Sequence, residues 1–181
     1  MKNNKNIAIY IVAIVVISVI SGFIYGYNKD FDISSYLATL TTKNNLYLMH
    51  TLGIILIFIG TLSLINVLTE SIIFSIEGIS IGFILAIFFK NYRIKGIFYA
   101  LAIILVNKLI YILLISYLFI VGFKYGSKII KNIIGINNDY VKHLHKPLIQ
   151  KFALILIISI INDTIIYFFG NIFLNYLTFM L

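Results

Sequence analysis

Glu77, Lys108 and Asp163 sit inside stretches of this chain that are otherwise apolar enough to cross a membrane. An ionised group near the centre of a bilayer costs roughly 3 kcal/mol or more, so such residues face a protein interior or a watery cavity. Whatever fold forms must supply each of them with a polar surround. The runs around them settle the class. Hydrophobic residues make up 61% of the 181 and charged ones 11%, mean hydropathy is +1.06, and the Ile, Leu and Phe runs outlast a buried helix of a soluble domain. The expectation is an all-α, polytopic integral membrane helix bundle of about five spans, forming one membrane domain over residues 1–181. The absence of cysteine removes disulfides, thiolate metal sites and cysteine nucleophiles from consideration.

The first span is expected over 7–26, preceded by Lys2 and Lys5, and it is expected to be retained rather than cleaved as a signal peptide. A segment over 28–45 follows, in which Lys29 and Lys43 balance Asp30 and Asp32; its neutrality suits the outer face. Within it Ile33, Tyr36, Leu37 and Leu40 fall at i, i+3, i+4 and i+7, marking an interfacial helix, either a connector packed on the spans or a partner site. Spans over 46–68 and 71–89 form a hairpin joined by Thr69 and Glu70. Gly60, Gly78 and Gly82 are its helix-packing positions, the last two at the small-xxx-small spacing that lets backbones approach closely.

A fourth apolar stretch over 97–123 is interrupted by Asn107 and Lys108. Either it crosses once, or it breaks there and re-enters on the same side. A basic loop over 124–150 is expected in the cytoplasm, with Lys124, Lys128 and Lys131 on one helical face suited to anionic lipid. The last span, over 150–172, carries Asn162 and Asp163. With five crossings and a cytoplasmic N-terminus, eight basic residues fall inside and five outside; a re-entrant fourth segment makes this eleven and two.

Lys108 and Asp163 each lie about 16 Å along their spans and Glu77 about 9 Å along its own, which favours a Lys108–Asp163 ion pair near the midplane, with Glu77 either neutral or sharing Lys108. Glu77, Asn107, Lys108, Asn162 and Asp163 form the expected intramembrane polar core, read as structural, with an ion or proton pathway as the rival. His143 and His145 form an HxH and, with His50, make a poor zinc set, so these are read as solvated loop residues. HExxH, paired-acid protease, GxSG and phosphate-loop patterns are all missing. No catalytic residue, cofactor, metal or nucleic-acid partner is therefore expected, and the chain is not read as an enzyme.

Four patches taken together resemble the stage II sporulation protein M family: Phe58-Ile59-Gly60, Glu77-Gly78-Ile79-Ser80-Ile81-Gly82, Leu105-Val106-Asn107-Lys108-Leu109-Ile110, and Ile160-Ile161-Asn162-Asp163-Thr164. Their order and spacing follow the family across nearly the whole chain, although the proline that interrupts the fourth span there has no counterpart near Val106. The resemblance implies a non-catalytic scaffold in a bacterial cell membrane, at the septum during sporulation. It would anchor the peptidoglycan-degrading stage II sporulation proteins D and P during engulfment, and docking would use the outer segment or the small-residue faces, which also suit a homo-oligomer. The rival function is the membrane permease of an exporter working with a separate ATPase.

Overall fold

The computed structural model describes residues 2–30, 44–63, 65–135 and 139–180. No strand occurs among them. Four helices follow in order: α1 (Lys2–Asn28), α2 (Asn44–Leu62), α3 (Asn66–Gly135) and α4 (Asp139–Met180). Three stretches are long and apolar enough to cross a membrane, Ile9–Asn28, Asn66–Ile130 and His145–Phe169, and His50–Leu62 is a shorter apolar helix. Large apolar side chains stand exposed along α1 at Ile9, Val12, Val16, Ile17, Ile20 and Ile24, and along α4 at Leu154, Ile157, Ile161 and Ile165. Water does not tolerate apolar faces of that extent on a lone soluble chain; the molecule is a membrane-associated helical protein.

α3 is a hairpin. At Arg93 the backbone leaves the helix (φ 55°, ψ −134°), dividing it into a first arm, 66–92, and a second arm, 94–135. Ile84 and Phe88 of the first arm pack against Ala100 and Ile103 of the second. At Gly96 a Cβ would lie 2.0 Å from the Phe88 carbonyl oxygen, so only a glycine lets the arms close directly after the turn. The break that the sequence left open at Asn107 and Lys108 is not formed: the helix continues through both residues. Neither is proline or glycine, and the chain reverses at Arg93, between the stretches 71–89 and 97–123. A positive φ on a non-glycine residue stores about 1–3 kcal/mol. Arg93→Gly is therefore expected to raise the thermal midpoint of the detergent-solubilised protein, and a lowered midpoint would show that the arginine side chain holds the turn more than its backbone strains it.

The neighbours of α1 explain where the glycines are. It runs parallel to the first arm of α3, with Tyr10 bonded to Ser71 at 3.0 Å and Gly22 and Gly26 pressed on Ile79 and Phe83. A Cβ on Gly82 would lie 2.0 Å from the Val19 carbonyl oxygen, and one on Gly78 would lie 2.6 Å from the Ser18 Cβ. Gly60 serves a different contact, against Thr69 across the α2–α3 turn. At the far end of α1, Lys90 donates to the Lys29 carbonyl at 3.2 Å and to the Asp30 carboxylate at 2.7 Å. That ammonium holds the Asp30 carboxyl below the usual carboxylate range.

α2 runs parallel to the second arm, since His50 stacks on Tyr111 while Thr61 faces Gly122. It runs antiparallel to α4, since His50 bonds Asp163 and Phe58 meets Phe152. The five helical segments thus alternate in direction along the chain. One core joins them, built on Ile54, Ile57, Phe74, Tyr111, Ile115, Leu118, Phe119, Phe152 and Ile155. α2 ends at Leu62 and α3 begins at Asn66, so Thr69 and Glu70 are helical residues of α3 and not the linker the sequence suggests. The basic stretch expected as a loop is helical on either side of 136–138, with Lys124 and Lys128 exposed. Ile33, Tyr36, Leu37 and Leu40, and the side chain of Lys131, lie outside the described residues.

Candidate functional site

Polar side chains gather in the bundle at three places, and the hairpin explains the first. Glu77 stands sixteen residues before Arg93 and Lys108 fifteen after it, so antiparallel arms bring the two to one level. There Lys108 Nζ donates to Glu77 Oε2, with the side chains 12% and 13% exposed. The expected Lys108–Asp163 pair is not formed. Because α3 begins at Asn66, Glu77 lies eleven residues into its helix, about 16 Å, rather than near a surface. The ammonium therefore finds its carboxylate across one turn of chain, without reaching α4.

Asp163 is taken by His50. Their Nδ1 and Oδ1 atoms are 2.8 Å apart, and the side chains are 2% and 4% exposed. The His50 ring stacks on Tyr111 with centroids 4.0 Å apart and planes at 20°, which fixes the imidazole between α2 and the second arm. Gly53 makes room for this: a Cβ there would stand 2.1 Å from the Tyr111 hydroxyl. Tyr111 stands three residues after Lys108 on the second arm and stacks on His50, so the two pairs belong to one polar region. Asn107, Ser159 and Asn162 are buried beside these levels on their helices. The Asn107 Oδ1, Ser159 Oγ and Asp163 Oδ2 atoms have no partner among the described residues.

The third place is the α2–α3 turn. Asn66 opens α3, and Glu70 follows one turn later on the same face, where it meets Thr61 of α2 over Gly122 of the second arm. Glu70 and Thr61 are 0% exposed. A helical spacing of about 1.5 Å per residue puts this layer about 16 Å along the second arm from Tyr111.

Of the residues expected in the polar core, Glu77 and Lys108 meet directly, while Asp163 joins His50 instead. His50 is no solvated loop residue, and neither is His145, whose Nδ1 lies 2.5 Å from the Tyr125 hydroxyl. The sequence signal for His50 was its place four residues into an apolar run; the signal for Glu70 was hidden by reading it as a turn. Among the described residues no group of three or more His, Asp or Glu could hold a metal ion. Chemically the arrangement can keep its polar groups internal, Glu77 on Lys108 and Asp163 on His50. No known protein family, characterised protein or solved structure matches the chain. Fold and site define a class, that of a helical membrane protein with a buried polar core.

Proposed function

We propose that the chain is a non-catalytic membrane scaffold. The observation that carries this reading is the closure of its charges in pairs: Glu77 with Lys108 and His50 with Asp163. A pair closed inside the bundle stabilises one arrangement of helices and leaves the apolar faces of α1 and α4 to neighbours in the bilayer. In this reading the bundle crosses the membrane five times. The alternating directions of the five helical segments support that number. The N-terminus and the exposed Lys124 and Lys128 then lie on the cytoplasmic side, while Arg93 and the end of α4 lie outside. The resemblance to stage II sporulation protein M supplies the partners: the peptidoglycan-degrading proteins D and P at the septal membrane, which act outside the cell.

Affinity purification of the tagged chain from sporulating cells tests this. Co-purification of wall hydrolases of the D and P kind is the expected result. Recovery of an ATPase without them would overturn the scaffold in favour of an exporter permease. A topology reporter placed at Arg93 is expected to respond from outside, and a cytoplasmic response would remove the fifth crossing.

A further inference from the structure

The polar layer at the α2–α3 turn takes no part in the pairs that close the other charges, and at its centre is a carboxyl group with no exposed surface. Glu70 is 0% exposed, and neither of its carboxyl oxygens has a partner among the described residues. Three polar groups converge there on the bare Cα of Gly122. A Cβ at that position would stand 2.8 Å from Thr61 Oγ1, 3.0 Å from Asn66 Nδ2 and 3.2 Å from Glu70 Oε1. The Thr61 hydroxyl already donates its hydrogen to the Ile57 carbonyl, 2.8 Å away, so it turns only lone pairs to the seat. The Asn66 amide nitrogen, itself without a partner, is a donor. The seat therefore offers one acceptor and one donor. An ionised carboxylate could use only the donor, and a bare metal cation would be repelled by it. A protonated carboxyl has one O–H to give and one C=O to receive, which matches both.

We propose that Glu70 is a proton-binding site, its proton held between the Glu70 carboxyl and the Thr61 hydroxyl in the space that Gly122 leaves open.

Among the described residues, the groups around the seat leave Glu70 without a counter-charge. From α1, Tyr10 is bonded to Ser71. On the second arm, Tyr125 is engaged by His145 of α4, and Lys124 and Lys128 point outward. α2 contributes His50, which is paired with Asp163; on α4, Lys146 and Lys151 are exposed. An unpaired carboxylate in such a surround is costly, whereas its neutral form needs only one acceptor and one donor, and both border the seat. Glu70 lies four residues into α3, about 6 Å from its start, so its proton has a short way to the end of the bundle that carries the exposed lysines.

Infrared spectroscopy of the full chain in lipid nanodiscs tests the site. The wild-type protein is expected to show, at neutral pH, the carbonyl stretch of a protonated carboxylic acid that Glu70→Gln removes. Absence of that band from the wild type, or its persistence in Glu70→Gln, overturns the proposal. The glutamine amide keeps an acceptor and a donor at the same two positions, with one N–H more than the acid, so this variant is expected to fold. Thr61→Val, which removes the acceptor, is expected to move the band to higher frequency; an unmoved band would overturn the assigned partner. Thermal midpoints give an independent reading. A proton held in the folded protein but lost from the unfolded chain makes stability fall as pH rises above the ordinary carboxylate range. The wild-type midpoint is thus expected to fall from neutral to alkaline buffer more than that of Glu70→Gln, and equal slopes would overturn the proposal. A midpoint that sodium chloride raises over choline chloride in the wild type, but not in Glu70→Gln, would assign the seat to sodium and overturn the proton.

Discussion

Lys108→Leu is expected to remove most of the folded protein from the membrane, because it strands the Glu77 carboxylate between the arms of α3. Breaking one partner of a buried pair typically costs about 3–5 kcal/mol, which is of the order of the whole stability of a small domain. These side chains are 12% and 13% exposed, so the lower end of that range applies. The decisive comparison is rescue. Glu77→Leu combined with Lys108→Leu removes both charges and is expected to restore accumulation to near the wild-type level, since a buried pair replaced by apolar residues of similar volume is often neutral. Lys108→Leu combined with Asp163→Leu is expected to fare worse than either single variant, as it leaves Glu77 and His50 both without partners. Rescue by this second combination would mean that Lys108 and Asp163 are paired after all. Fluorescence-detected size-exclusion chromatography of solubilised membranes measures each outcome.

The second large effect is expected at Gly82. A Cβ there would come within 2.0 Å of the Val19 carbonyl oxygen and 2.7 Å of the Phe23 nitrogen. Both are backbone atoms, so no side chain can rotate away and α1 must move off the first arm of α3. Overpacking of this kind costs about 1–3 kcal/mol when side chains can give, and more where the backbone blocks it. Gly82→Ala is expected to lower the thermal midpoint by several degrees, and Gly82→Leu to undock α1. A cysteine pair across the contact, Val19→Cys with Ile79→Cys, reports docking: cross-linking should be efficient in the parent and lost with Gly82→Leu. Retained cross-linking would show that the helices pack elsewhere. Gly26 is a useful contrast, because its nearest neighbour is a Phe83 ring carbon at 2.9 Å. The Ala86 Cβ follows at 3.0 Å and the nearest backbone atom only at 3.2 Å, so Gly26→Ala is expected to be the milder change.

The comparison of Gly82 with Glu70 shows what could be read from the chain alone. Gly78 and Gly82 stand out because small residues four apart mark one helix face, and that face does meet another helix. Which helix it meets was not read, although Ser18, Gly22 and Gly26 stand four apart on α1 and mark the side that meets it. Glu70 was misplaced for a related reason. An acid between two apolar runs reads as a turn, yet α2 ends at Leu62 and α3 begins at Asn66, and the acid is drawn inside by the start of α3. Arg93 is neither glycine nor proline, and what marks its place is charge, since it stands with Lys90 and Lys95 between the spans over 71–89 and 97–123, while Asn107 and Lys108, the most polar point of their segment, stayed within a continuous helix. Polarity and breaks coincide only when water is what the polar residue seeks. Here a protein partner was within reach.

The sequence by itself determined that the chain is helical and bound for a membrane, and which charges would need shelter there. Transfer free energies add along a segment regardless of its neighbours, so both conclusions are local. The choice of partners was decided by tertiary structure. A pairing depends on where a hairpin turns and which way each helix runs, and the position of one residue, Arg93, set Lys108 level with Glu77. Antiparallel packing of α2 on α4 then left Asp163 to His50, and the start of α3 at Asn66 carried Glu70 inward over Gly122. No sum over single residues contains those distances.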